Sequence, residues 1–280
     1  MYCVVVTVFY WYNRITMTFT ISFVFFIFGL IIGSFLNVVI FRFNTGKSFG
    51  GRSKCLHCSR KLSPIELIPL FSFLFLKGRC RGCKTRISFQ YPLVEFITGL
   101  VFAGLFSKLE YLFYYDISSF IVSFTYFALF FSLLLSIAVY DIKHKMIPDS
   151  MVYILGFVAL IGIFLFEDNI FFPHIPSVFD FLRGIFFAFP FALLWFVSRG
   201  KWIGFGDAKL ALGLGWFFSV SEMLSVLLIS FWLGAVIGLV LILFKKINKG
   251  MKSEIPLVPF LALGTIIVFF FNINIYEFLF

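Results

Sequence analysis

The chain has 280 residues, 61% of them hydrophobic and 13% charged, with 23 Lys+Arg against 13 Asp+Glu and a formal net charge of +10. A soluble domain of this length alternates more and carries more charge, so a water-soluble globular fold is excluded. The apolar residues fall into runs of about 17–25, each the length of a helix that crosses a bilayer, and the fold class is all-α: a polytopic helical membrane protein.

Residues 1–16 are apolar and aromatic, without the basic n-region and small-residue cleavage site of a signal peptide. They read either as an interfacial segment or as an extension ahead of a start at Met17, so 1–18 stand apart from the first span. Eight spans are expected, at 19–41, 91–107, 117–140, 150–166, 181–198, 207–220, 222–244 and 256–278. The sixth is short and rich in Gly. One long polar loop, 42–90, follows the first span, and 91–280 carries the remaining seven. Gly29/Gly33 and Gly234/Gly238 form GxxxG pairs, for which close helix packing is a sufficient account. No internal repeat is evident, and the 46 Phe are expected to fill lipid-facing helix surface.

Lys and Arg placement orients the chain. With both termini outside, the segments 42–90, 141–149, 199–206 and 245–255, together with Lys209, face the cytoplasm and hold 20 of the 23 Lys+Arg. The opposite orientation reverses that ratio. The positive charge is therefore a topology signal with attraction to anionic lipid as its consequence, and no nucleic-acid partner is needed to explain it. Asp141 lies where the third span exits to the cytoplasm and Asp207 where the sixth enters. Although 66 residues apart, they share one face of the membrane at similar depth.

The polar loop contains Cys55-Leu-His-Cys58 and Cys80-Arg-Gly-Cys83, two CxxC pairs separated by 21 residues. Each pair suits a tight knuckle presenting two thiolates, and two knuckles complete a tetrahedral structural zinc site. Lys54, Arg60, Lys61, Arg79, Arg81 and Lys84 flank the ligands and offset their charge. Disulfides would need an oxidising compartment, whereas the charge count puts this loop in the reducing cytoplasm. Redox chemistry at one CxxC leaves the second unexplained. Cys3 lies outside the site, and His57 is a knuckle residue.

A carboxylate beside a bilayer is costly, so Asp141 and Asp207 call for a reason. Ser/Lys chemistry has no evident pair, and no HExxH occurs among the three scattered His. Two carboxylates close enough to share a proton offer another route to peptide hydrolysis. Repulsion keeps one neutral while the other takes a proton from attacking water. Which is the base belongs to the pair. Gly204 and Gly206, around Phe205 and before Asp207, permit unusual backbone angles and close approach of another segment. The bland readings stay open at this point: Asp207 as a helix N-cap, Asp141 as a helix-end charge paired with Lys143 or Lys145, Asp149 as the N-cap of the fourth span. Lys209 pairs with a carboxylate or reaches toward headgroups.

Taken together, the motifs resemble the bacterial type IV prepilin peptidase (leader peptidase) family. They are Gly33–Arg42 (GSFLNVVIFR), the two CxxC pairs, Glu66-Leu-Ile-Pro-Leu, Lys77–Cys83 (KGRCRGC), Tyr91-Pro-Leu-Val-Glu95, Asp141 with Ile147-Pro-Asp149, Gly204–Leu210 (GFGDAKL) and Ile255–Gly264 (IPLVPFLALG), in family order from about Phe28 to Thr265. The resemblance implies cleavage of the basic leader from prepilins and pseudopilins after a Gly, at the cytoplasmic face of the inner membrane. It also implies N-methylation of the new N-terminus with S-adenosylmethionine. By the same resemblance Asp141 and Asp207 match the catalytic aspartates. Gly204, Gly206, Lys209 and Asp149 support them, and Glu66 falls in the methyl-transfer region. The chain departs from the family pattern at Phe43-Asn44, where Leu-Pro is common after Arg42, and at Val258, where Gly is common. Both departures touch helix ends. Two other classes fit parts of the pattern. A presenilin-like GxGD intramembrane protease fits Tyr140-Asp141 and Gly204–Asp207, but neither Pro148-Asp149 nor the cysteine loop. A non-enzymatic transporter or scaffold would use the aspartates as ion sites.

Overall fold

A computed structural model of the chain describes residues 2–46, 50–55, 57–167, 169–244 and 256–275, and the side chains among these except at 2–15, 241, 242 and 244. Cys3, Lys47 and the basic stretch 245–255 therefore lie outside the described side chains. The chain forms two compact units, Met1–Ala128 and Leu129–Phe280, and the boundary falls within a helix.

In the first unit, α1 (Tyr2–Arg42) and α3 (Gln90–Tyr115) pair as antiparallel helices. Gly29 and Gly33 make that pairing close: a Cβ on Gly29 would lie 2.7 Å from the carbonyl oxygen of Thr98, and one on Gly33 2.8 Å from the Cα of Glu95. The small-residue pair thus does what its spacing predicts. Between these helices run a short 3-10 helix, Pro64–Leu67, and α2 (Phe71–Phe75). The helix α4 (Ile117–His144) begins beside Asp116, whose carboxylate accepts the backbone N–H groups of Ser118 and Ser119. It ends at Lys145, whose φ of 52° turns the chain toward Pro148.

The second unit contains the rest of α4, then α5 (Asp149–Leu165), a two-residue hairpin of β1 (Phe166–Glu167) and β2 (Ile170–Phe171), α6 (Val178–Ser198), α7 (Phe205–Phe217), α8 (Val220–Phe244) and α9 (Val258–Phe271). The sixth expected span, α7, is short because it is enclosed rather than laid against lipid. Its Gly213 faces Leu155 on α5, and its Gly215 faces Gly184 on α6 at 3.0 Å from an added Cβ. The glycines let three backbones converge where bulkier residues would hold them apart.

Five helical segments are long and apolar enough to cross a bilayer: Thr16–Arg42, Gln90–Tyr115, Ile117–His144, Val178–Ser198 and Val220–Val240, while α5 and α9 are apolar but shorter. The chain is a multi-pass helical membrane protein. The phenylalanines divide in a way that composition alone does not reveal. Phe19, Phe179 and Phe196 are exposed, as lipid-facing residues would be, but Phe106, Phe127, Phe130, Phe131, Phe218 and Phe269 are fully buried. Phe130 stacks on Phe217 with ring centroids 3.8 Å apart, and Phe25 stacks on Phe106 at 4.9 Å. Aromatic interlock is therefore a large part of both cores.

Candidate active site

Asp141 and Asp207 both lie in the second unit. Each is buried, 6% and 8% exposed, and they lie close enough for the charge of one to act on the other. Asp141 is near the C-terminal end of α4 and accepts the backbone N–H of Val258, the first residue of α9. Asp207 is in the first turn of α7, and its carboxylate accepts the N–H of Gly204. Two helix N-termini thus face the two carboxylates, and their dipoles favour negative charge there. The bland reading of Asp207 needs correcting: Gly204 is the N-cap, and Asp207 stands at the third helical position. Asp141 likewise is not a snorkelling end charge. It is buried, and among the described residues neither aspartate has a cationic partner.

The two glycines before Asp207 play different parts. Gly204 has φ −75° and ψ 150°, extended backbone open to any residue, and a Cβ there would find its nearest neighbour at 3.7 Å. The expected unusual backbone angle is absent. Gly206 is needed for space, because a Cβ would lie 2.8 Å from that of Ile147. The turn between α4 and α5 rests on this bare point of α7. One residue beyond Pro148, which is the N-cap of α5 in place of the expected Asp149, Asp149 accepts a hydrogen bond from Lys209 Nζ at 2.7 Å. The Lys209 ammonium also sits over the rings of Tyr153 at 4.9 Å and Phe205 at 5.2 Å. Of its two expected roles, Lys209 takes the ion pair.

In the first unit the four loop cysteines converge. All are free, and their sulfurs lie within 4.8 Å of one another. Cys55 and Cys83 are 3.8 Å apart, the edge of a tetrahedron with metal–sulfur bonds of about 2.3 Å. The donor set and spacing fit a closed four-thiolate metal site. The two knuckles are a local repeat that the sequence reading did not detect. Cys55 N–H bonds to Arg60 O, Ser59 N–H to Cys55 O and Leu62 N–H to Ser53 O; twenty-five residues on, Cys80 N–H bonds to Thr85 O, Lys84 N–H to Cys80 O and Ile87 N–H to Gly78 O. Ser59 and Lys84 turn the chain at equivalent points, with φ of 55° and 60°. The Thr85 hydroxyl, 3.2 Å from the Cys83 sulfur, together with the Thr85 amide holds that thiol down at about 6, and the amides of Cys83 and Gly82 lower Cys80. The N–H donors among these favour the thiolates a metal requires. Glu66 accepts the Ser63 amide, which with the paired Arg60 holds its carboxyl below the usual range. Glu66 therefore fastens the 3-10 helix to the first knuckle.

Comparison with known proteins decides the family. Residues 27–109 match the family described as Bacterial Peptidase A24 N-terminal domain, and residues 128–239 the Type IV leader peptidase family. A Bacillus subtilis (strain 168) protein named prepilin leader peptidase/N-methyltransferase is 32% identical over 258 residues, 90% of this chain and 95% of that one. The chain belongs to the type IV leader peptidase family. Relatives of the same name occur in Myxococcus xanthus (strain DK1622), 36% identical over 82% of this chain and 65% of that longer protein, and in Legionella pneumophila, 29% identical over 89% and 91%. No solved structure matches this leader peptidase family member.

Three contacts in it escaped the sequence reading. The Val258 amide at Asp141 sits in the expected terminal motif, but only the fold brings that motif to α4. Ile147 stands in the Ile147-Pro-Asp149 motif, but its contact to Gly206 depends on the fold. Glu95, in the Tyr91–Glu95 motif, is a carboxylate inside an apolar helix and only 8% exposed. That last combination is visible in the sequence as a functional signal.

Proposed function

We propose that the protein removes the basic leader from type IV prepilins and pseudopilins after a Gly, at the cytoplasmic face of the bacterial inner membrane, and methylates the N-terminus it exposes. The observation that carries the protease half is the buried Asp141–Asp207 pair, set at the starts of α9 and α7 without a compensating cation among the described residues. Two such carboxyls share a proton. The ionised one takes a proton from water as its oxygen attacks the scissile carbonyl. The neutral one protonates the carbonyl oxygen and later the departing amine. Gly206 lets Ile147 close against α7, and the Lys209–Asp149 pair ties the starts of α5 and α7 together, so both support the geometry of the catalytic pair.

Cys55, Cys58, Cys80 and Cys83 hold a structural zinc ion that folds a loop too small to build an apolar core. Zinc supplies cross-linking there and no open coordination position for chemistry. S-adenosylmethionine serves as methyl donor, in keeping with the N-methyltransferase names of the relatives. The Lys+Arg count supports a cytoplasmic side for the cysteine loop and both aspartates, with both chain ends outside.

The test is to incubate purified protein with a prepilin carrying a basic leader and a Gly–Phe junction, with S-adenosylmethionine, and to weigh the products. The expected product lacks the leader and gains one methyl group. Asp141→Asn and Asp207→Asn should each stop cleavage in a folded protein, and retained cleavage by either variant refutes the two-aspartate assignment.

A further inference from the structure

The first unit contains a second buried carboxylate environment, away from the metal ligands. Glu95 lies one turn into α3 and is 8% exposed. Its Oε2 accepts the Leu70 N–H at 2.9 Å, and the Ser34 hydroxyl of α1 faces it. Both partners are neutral, and among the described residues no cation pairs with it. One turn along each helix stand Asn37 and Tyr91. Asn37 is 2% exposed and donates its side-chain N–H to Tyr91 O at 3.0 Å, which leaves its Oδ1 buried without a donor. Ser34 and Asn37 are three apart on α1, and Tyr91 and Glu95 four apart on α3, so each pair shares a helix face. A buried anion and a buried unpaired acceptor side by side are costly unless something brings positive charge and N–H donors to them.

The surroundings narrow what that is. The chain crosses Glu95 in a tight turn at Leu70 (φ 59°, ψ −51°), closed by a Phe71 N–H to Pro69 O bond of 2.6 Å. That backbone conformation is strained for a leucine, and the Glu95 carboxylate pins it. On either side Leu67, Ile68 and Phe71 are exposed, as is Leu93 on the first turn of α3. An ammonium at the head of an apolar segment satisfies all of this: charge for Glu95, an N–H for Asn37 Oδ1, and apolar contact for the flanking side chains.

We propose that Glu95 and Asn37 bind the α-ammonium of the processed substrate and that Glu95 is the catalytic base of methyl transfer. This deepens the methyl-transfer half of the reading above and rests on it. Glu95 takes one proton from the ammonium. The freed nitrogen lone pair attacks the methyl carbon of the sulfonium donor, and the N–C bond forms as the S–C bond breaks. The products are a secondary ammonium and a neutral thioether, and the proton on Glu95 passes to water.

The experiment separates binding from transfer. Peptides of a mature pilin N-terminus, one with a free amine and one N-acetylated, are titrated into full-length protein in detergent without methyl donor. The free amine should bind about 10–100-fold more tightly. Glu95→Gln, which keeps an acceptor for Leu70, and Asn37→Leu should each remove most of that preference while leaving zinc content and thermal midpoint in place. If one variant misfolds, the other carries the test. With S-adenosylmethionine added, Glu95→Gln should slow methylation of the free-amine peptide by about 10²–10⁴-fold. Equal binding of the two peptides by the wild type, or full preference in a folded Glu95→Gln, overturns the ammonium site. Amine preference without any methyl product upholds the site and refutes the methyl-transfer reading instead.

Discussion

The cysteine loop and the second unit treat buried charge in opposite ways. In the cysteine loop, Glu66 is matched by Arg60 and by two groups of Ser63, and the knuckles are tied by paired backbone hydrogen bonds. In the second unit, Asp141 and Asp207 are buried beside each other, with backbone amides as their partners. The physical difference is the surrounding core. A loop without apolar bulk cannot tolerate unpaired charge, so its charges are spent on holding it together. A helical core with Phe130, Phe131, Phe218 and Phe269 fully buried has stability in reserve, and its uncompensated carboxylates point to chemistry.

The strongest way to break this comparison is to neutralise the charges on each side. Asp141→Asn or Asp207→Asn should lower leader cleavage by about 10⁴-fold or more, since the pair acts as a unit, and the double variant should be little worse than either single one. The thermal midpoint should hold or rise, because a buried carboxylate gives way to a neutral amide. A single-turnover cleavage assay and a melt, run on the same samples, check both halves. A marked loss of stability would mean that the aspartates serve the fold, as Glu66 does.

On the other side, Cys80→Ser should cut bound metal from about one ion per chain to near none, as read by metal analysis of purified protein. The loop should become protease-sensitive and methyl transfer should fail with it. Leader cleavage should change far less, because the groups proposed for it lie in the second unit. Loss of cleavage equal to that of the aspartate variants would erase the distinction between the units.

Much of this was legible from residue patterns. Among the described residues the long helices follow apolar runs, and the four cysteines announce their convergence by spacing. That the two aspartates fall at one end of their spans was expected, but their burial was not. What the sequence could not carry were contacts that depend on which backbone comes closest to which. Gly204 and Gly206 look equivalent in GFGD, but only Gly206 faces a neighbour. The amide of Val258 reaches Asp141 across more than a hundred residues of chain. The knuckle repeat is written in hydrogen bonds, while its residues outside the cysteines differ, Arg60 against Thr85 and Ser59 against Lys84.

The glycine difference gives a sharper probe of how tightly the second unit holds its carboxylates. Gly206→Ala would push a methyl group to 2.8 Å from the Ile147 Cβ, and overpacking of this kind costs about 1–3 kcal/mol. If α7 shifts to relieve it, Asp207 moves away from Asp141, and cleavage should fall by roughly 10²-fold. Gly204→Ala meets only ordinary contacts, and although Ala is a poorer N-cap than Gly by about 1 kcal/mol, it does not push α7 away, so its cleavage rate should stay much closer to wild type than that of Gly206→Ala. Equal damage from both would mean that the motif is needed for backbone freedom after all. Ile147→Ala in the Gly206→Ala background opens the space again and should restore part of the lost rate.

The smallest effect belongs to the Lys209–Asp149 pair, an ion pair beside the proposed site of the second unit. Asp149 is largely exposed, with 63% of its side chain accessible, and pairs of this kind contribute about 0.2–1 kcal/mol. Asp149→Asn should therefore slow cleavage only a few-fold, with the loss growing at low ionic strength, where the wild-type pair is strongest. Lys209→Met should cost more than Asp149→Asn, because the ammonium also rests on the rings of Tyr153 and Phe205. The double variant should be no worse than Lys209→Met alone, since the carboxylate acts through the lysine. Additive losses would show that Asp149 has a partner of its own in the reaction, and would move it from the edge of the site to its centre.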